Sequence, residues 1–198
     1  MSRIAKLSPE TWDPELRSML KTETKSSFEL GNMRMLAHIP EAAKAVAHLM
    51  MTVKTKRILP ERLAELVRLR IAFHNQCRSC MAVRYAGAAA DGVDQDLVCS
   101  LERPAEAKDL SDADKAAIDY ADRFAINHLS IDEGVYDGLR RHFTEAEIVE
   151  LGLWCAICSG LGRLNATWDM VEDLPSAYQD KSGPIAPWKI SETITPNK

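Results

Sequence analysis

The feature that most restricts the fold is a series of helix-start signals with no β-strand pattern between them. Ser8-Pro9-Glu10 reads as an N-cap with proline at the first helical position, predicting a helix to about Lys21. Pro40 and Pro60 open "PEAAKAVAHLMMTVKTK" and "PERLAELVRLRIAFH", the second carrying a broad apolar stripe. Asp94 caps "QDLVCSLE", and Ser111 with Asp114 makes a capping-box-like start to "DADKAAIDYADRFAINH". Asp132 caps "EGVYDGLRRHF". Thr144 and Glu147 form a full capping box for "EAEIVELGLWCAICSGLGRLNATWDM". "TETKSSFELGN" reads as a polar connector and "MRMLAHI" as a short helical stretch. No convincing period-two segment and no solenoid repeat interrupts this order, so the expectation is an all-α, multi-helix chain. Beyond Pro175 the sequence turns proline-rich, with Pro184, Pro187 and Pro196, and reads as an arm anchored by Trp188. The expected division is an N-terminal helix and connector (1–29), a helical domain (30–174) and a C-terminal arm (175–198).

A chain of 198 residues suits one such domain with extensions, and 46% hydrophobic with 27% charged residues is ordinary globular composition. The net charge of -4 comes without blocks of like charge, which argues against nucleic-acid or anionic-membrane partners. "MSRIAKLSPETWDPEL" lacks the apolar core of a signal peptide. The longest apolar run, Ile148 to Leu164, is broken by Glu150, glycines and Arg163. A cytoplasmic location is the expectation. Five cysteines, Cys77, Cys80, Cys99, Cys155 and Cys158, are an odd count, which argues against a disulfide framework in a reducing compartment.

The stretch "HNQCRSCMAVRY", His74 to Tyr85, carries the chemistry. Asn75 reads as an N-cap, which puts Cys77 in the first turn of a helix running to about Gly92. Cys80 then lies one turn deeper and Arg84 another turn on, along the same face. A helix N-terminus, a nearby cation and a partner thiol each lower a thiol pKa, so the pair suits a dithiol–disulfide cycle. Two buried thiols without chemistry are the plain alternative. Zinc shared with Cys155 and Cys158 is a third. That second pair lies inside "LGLWCAICSGLG", where Gly152, Ala156 and Gly160 recur every four residues and suggest a close helix crossing; Cys155 and Cys158 are expected to be packing residues, and Cys99 structural. No metal or cofactor is expected.

The segment "ERLAELVRLRIAFHNQCRSCMAVRY" resembles the carboxymuconolactone decarboxylase superfamily, in particular its alkylhydroperoxidase AhpD-like branch. Glu65 stands twelve residues before Cys77, as the glutamate of that branch does before its first cysteine. The resemblance extends over about residues 30 to 172. It implies an all-helical AhpD-like bundle that assembles as a homo-oligomer: dimer, trimer or hexamer. It implies reduction of peroxides or disulfides, with Cys80 attacking the substrate, Cys77 resolving, and Glu65 in a proton relay. The family's relay histidine is Arg84 here. Arginine cannot act as a base under ordinary conditions, but it can stabilise a thiolate or clamp a carboxylate. His74 and His142 are then candidate accessory bases.

Two enzyme readings follow. The first is a thiol-dependent peroxidase or disulfide oxidoreductase that takes a small hydroperoxide and an unidentified thiol electron donor. The second is a non-redox acid–base enzyme on a small organic acid or lactone, with Glu65 as acid/base and Arg84 as carboxylate clamp. A non-catalytic oligomeric or redox-sensing protein is a third possibility.

Overall fold

The computed structural model describes residues 2–196. These residues form α1 (Pro14–Leu20), α2 (Ser27–Leu30), α3 (Met33–Leu36), α4 (Pro40–Thr55), α5 (Glu61–His74) and α6 (Arg78–Ala82). They continue as α7 (Ala86–Ala90), α8 (Gln95–Cys99), α9 (Asp112–Ile126), α10 (Glu133–Arg140), α11 (Glu145–Trp168) and α12 (Ser176–Gln179). No strand forms among them; one isolated parallel bridge joins Val83 to Ile194. The all-α expectation holds. None of these helices is long and apolar enough to cross a membrane.

The caps explain where the helices begin. Ser111 Oγ accepts from Asp114 N at 3.1 Å, and the Asp114 carboxylate accepts from Ser111 N at 2.9 Å. Thr144 and Glu147 exchange the same pair of bonds ahead of α11. Asp94 and Asp132 accept from the amides of Leu97 and Val135. Each bond satisfies an amide that the first helical turn leaves without a partner.

The N-terminus differs from expectation. Ser8-Pro9 yields only a single 3-10 turn, Pro9–Thr11. Helix α1 begins one signal later, where Asp13 accepts from Glu15 N and Leu16 N and Pro14 takes the first helical position. The carboxylate is the better acceptor, and Trp12 is extended and buried between the two. The supposed connector also holds α2, capped by a Ser26–Glu29 capping box inside a polar run.

Helix α5 is the axis of the molecule. Val67 and Ile71 pack against Ala117 and Ala121 of α9 and Leu151 and Cys155 of α11. Leu66 and Leu69, on its other side, pack against Val98, Leu101 and Trp188. Each such fully buried aliphatic side chain contributes about 1.5–3 kcal/mol. Trp154 on α11 donates its indole N–H to Ala64 O at 2.9 Å. A separate apolar layer joins Trp12 and Leu16 to Ala43 and Ala47 of α4.

The crossing of α11 over the end of α5 is tightest at Gly162, where a Cβ would stand 2.5 Å from Asn75 Nδ2. The small-residue row does not supply it: Ala156 and Gly160 are exposed, and of the two glycines only Gly152 approaches a neighbour, the Tyr120 hydroxyl. The C-terminal arm lies against this frame. Trp188 packs on Phe73 with the rings tilted and centroids 4.5 Å apart, and the Arg70 guanidinium lies 5.6 Å from its ring.

Candidate functional site

The thiol segment begins with a reversal of the chain. Asn75 ends α5 rather than opening the next helix; its amide donates to Ile71 O, while its side chain donates to Cys158 O at 3.0 Å. Gln76 follows in the left-handed region with φ 49. A non-glycine residue there costs on the order of 1–3 kcal/mol. Its side chain offsets this with bonds to Phe73 O, Ile185 O and Ile185 N. Cys77 is then the extended N-cap of α6, and its Sγ accepts from Cys80 N at 3.3 Å. Cys77 and Cys80 are joined as a disulfide, their Cα atoms 5.2 Å apart. Cys77 is wholly buried, whereas Cys80 is partly exposed and lines a cavity.

The helix expected to run on to Gly92 breaks after Ala82. Val83 is extended, Arg84 N donates to Ile194 O at 2.9 Å, and Ile194 N donates to Ala82 O at 2.8 Å. The arm thus takes up the backbone groups that a continuing helix would need. This moves Arg84 off the helical face it was expected to share with Cys80. Its Nη1 donates to Met81 O at 2.7 Å and Val83 O at 2.9 Å, and its Nη2 to Pro187 O at 3.3 Å. Burial, with the Arg68 charge adding, lowers its pKa from the usual arginine value. Its positive charge rests on the carbonyl end of α6 and does not line the cavity.

Arg68 takes the place beside the thiols. It forms a fork with Glu65, Nε to Oε2 and Nη2 to Oε1, both 2.7 Å, with both side chains buried. Two further N–H groups, one on each Nη, reach Cys80 O at 2.5 Å and Val83 O at 2.9 Å. Burial alone would lower the Arg68 pKa, but the Glu65 carboxylate outweighs it and keeps the guanidinium charged. Glu65 therefore acts on the α6 backbone through Arg68 and does not itself face the cavity.

Neither candidate accessory base is brought to the thiols. His74 Nε2 pairs with Asp122 Oδ1 at 2.7 Å, and that carboxylate also binds Arg70. His142 is exposed beyond α10, edge-on to Phe143. Among the described residues no histidine lines the cavity.

The cavity holds 320 Å³, a size suited to a small molecule. α6 supplies Cys80, α11 supplies Trp154, Ile157, Cys158 and Asn165, and α4 supplies Met50 and Lys54. Phe28 and Met33 close it from the N-terminal layer and Pro196 from the arm. Asn165 Nδ2 lies 4.0 Å from Cys80 Sγ. Tyr85 presents its ring to two cations, with Lys54 Nζ at 4.4 Å and Arg68 Cζ at 5.0 Å. Burial pushes the Cys158 thiol up to about 12, against the opposing pull of Arg68. Cys155 sits in the core, and Cys99 is exposed.

Arg68 had a signal in the sequence, as a charged residue three places after Glu65 inside an apolar helix. Lys54, Tyr85, Cys158 and Asn165 carried none, because only the packing of α4 and α11 against α6 gathers them. Among the described residues no cluster of three or more His, Cys, Asp or Glu side chains is placed to hold a metal ion.

Residues 40–123 match the sequence model of the carboxymuconolactone decarboxylase family. No curated protein matches the chain. The fold is similar to an uncharacterised peroxidase-related protein from Ralstonia eutropha JMP134 with an alkylhydroperoxidase AhpD core. The TM-score is 0.69 at 18% identity, covering 90% of this chain and 94% of that one. It is also similar to a protein of unknown function from Agrobacterium tumefaciens, with TM-score 0.60 and 20% identity over 69% of this chain and 93% of that one. A third likeness, TM-score 0.69 at 18% identity, is to a cysteine-to-alanine variant of the debrominase Bmp8 in complex with 2,3,4-tribromopyrrole. It covers 90% of this chain and 96% of that one.

Proposed function

We propose, for a chain that belongs to the carboxymuconolactone decarboxylase superfamily and has its AhpD-like fold, that Cys80 and Cys77 are a redox dithiol that reduces organic hydroperoxides. The observation that carries this reading is the unequal exposure of two adjacent sulfurs. Cys80 opens onto the cavity while Cys77 is buried directly behind it. A nucleophile must meet substrate, and a resolving thiol must meet only the nucleophile.

In the reduced protein the Cys80 thiolate attacks an oxygen of the hydroperoxide. The O–O bond breaks, the departing oxygen leaves as the alcohol after taking a proton from solvent, and Cys80 becomes a sulfenic acid. The Cys77 thiol then attacks the Cys80 sulfur, the S–O bond breaks, water leaves and the disulfide forms. A dithiol donor returns two electrons and two protons through a mixed disulfide. Arg68 positions Cys80 by holding its carbonyl. Arg84 acts at one remove, by fixing the end of α6 to the arm. The acid–base reading gains no support from the cavity, since both Glu65 oxygens are held by Arg68.

The test maps the thiols. Fully reduced protein receives one equivalent of cumene hydroperoxide, is alkylated under denaturing conditions and is digested for mass spectrometry. A Cys77–Cys80 disulfide with Cys99, Cys155 and Cys158 alkylated is the expected result, together with loss of peroxide consumption in Cys80→Ser. Five alkylated thiols and unconsumed peroxide, with cumene hydroperoxide and with a carboxylate-bearing hydroperoxide alike, would end the proposal.

A further inference from the structure

The cavity is apolar over most of its wall, through Phe28, Met33, Met50, Trp154, Ile157 and Leu161. Its cations are not equal. The Arg68 charge is answered by Glu65, and its other bonds go to two carbonyls. Lys6 and Arg34 are answered by Asp173. Lys54 is different: among the described residues it makes no hydrogen bond or ion pair with a carboxylate, and its contact is the face of Tyr85. Lys54 is an exposed residue on α4, yet its ammonium turns inward to line the cavity.

That placement disfavours the charged form. The ammonium gives up part of its water, and Lys25, Arg68 and Arg57 repel it more than Glu61 attracts it; together these lower its pKa from the lysine value. A cation–π contact offsets part of this, by about 0.5–2 kcal/mol. An anion seated on Lys54 would offset more. Lys25 and Lys54 both line the cavity with no carboxylate partner among the described residues, and of the two Lys54 is seated on the Tyr85 ring; positive charge beside apolar walls matches a carboxylate on an apolar body.

We propose that Lys54 is the anion anchor of this cavity, so that the substrate is an amphipathic, carboxylate-bearing organic hydroperoxide. Its carboxylate sits on Lys54, its apolar body lies against Met50, Trp154 and Ile157, and its O–O group reaches Cys80. The identity of the reacting group rests on the dithiol reading above; the anchoring of the carboxylate does not. The bond changes at Cys80 are those already given, with the carboxylate unchanged throughout.

The experiment measures binding and turnover separately. Isothermal calorimetry compares octanoate with 1-octanol on the full-length protein and on the Lys54→Met and Lys54→Arg variants, each checked by thermal melting. Octanoate should bind wild type roughly tenfold or more tightly than 1-octanol, Lys54→Met should remove that preference, and Lys54→Arg should keep it. Equal binding of acid and alcohol by wild type, or an unchanged preference in Lys54→Met, overturns the anchor. Turnover then compares a carboxylate-bearing hydroperoxide with cumene hydroperoxide. If octanoate binds through Lys54 but neither peroxide forms the Cys77–Cys80 disulfide, the dithiol reading fails and the anchor stands. If both peroxides are consumed and Lys54→Met treats them as wild type does, the anchor fails alone.

Discussion

At the scale of single residues, Arg68 is the buried counter-charge of Glu65. Arg68→Ala leaves the Glu65 carboxylate buried without a counter-charge, and a loss of about 3–5 kcal/mol is expected in urea unfolding. The double variant Glu65→Leu/Arg68→Met removes both charges and should recover most of that loss. Cys158 makes a second prediction. With its thiol pushed up to about 12 by burial, roughly a ten-thousandth of it is ionised at pH 8. Iodoacetamide at that pH should modify exposed Cys99 in the native protein and leave Cys158 unmodified, as peptide mapping would show. Glu65, Cys77 and Cys80 were legible in the sequence by type and spacing. The environment of Arg84 was not, because its acceptors depend on Pro187 and on an arm that pairs with Val83 from residue 194. A helical-spacing argument cannot see a partner more than a hundred residues away.

At the scale of elements, the starts of α4 and α5 were legible from Pro40 and Pro60, and those of α8, α9, α10 and α11 from side-chain caps whose partners lie within four residues of the chain. Thr144→Ala should accordingly cost about 0.5–2 kcal/mol in chemical denaturation, with Glu147→Gln smaller because its bonds persist in part. The failures were tertiary or competitive. Asp13 outcompeted Ser8 for the first cap, and the arm ended α6 where local sequence would have continued it. Trp188 ties that arm to α5, and its burial was foreseen from its place in a proline-rich tail. Trp188→Ala should destabilise the protein by about 3 kcal/mol, read as a fall in Tm of about 6–12 °C.

At the scale of the whole molecule, the N-terminal layer is fastened to the segment after α11 by charge. Lys6 bridges Glu172 and Asp173, at 2.7 and 3.2 Å, and Arg34 reaches Asp173. Partial burial works against the Glu172 carboxylate, but Lys6 and backbone amides outweigh it and hold its pKa at about 2, below its ordinary 4.5. Because the folded value is depressed, this contribution is complete above the ordinary carboxylate range. It is lost as pH falls from about 4.5 toward 2. Solvent screening keeps it small. Tryptophan emission from Trp12 and Trp168 should follow that loosening, and Lys6→Met should remove its dependence on Glu172 protonation.

The five cysteines also lie at different depths of one structure, and this turns them into reporters of partial opening. Ile185, Ile190 and Ile194 of the arm cover α6, whose cap is Cys77, while Cys155 is enclosed where α5, α9 and α11 meet. In reduced protein, excursions that lift only the arm would make Cys77 available to a labelling pulse and leave Cys155 protected. Cys155 would label only when the central helices separate. The interval between the two labelling rates would measure how far the free energy of sub-global opening falls below that of complete unfolding.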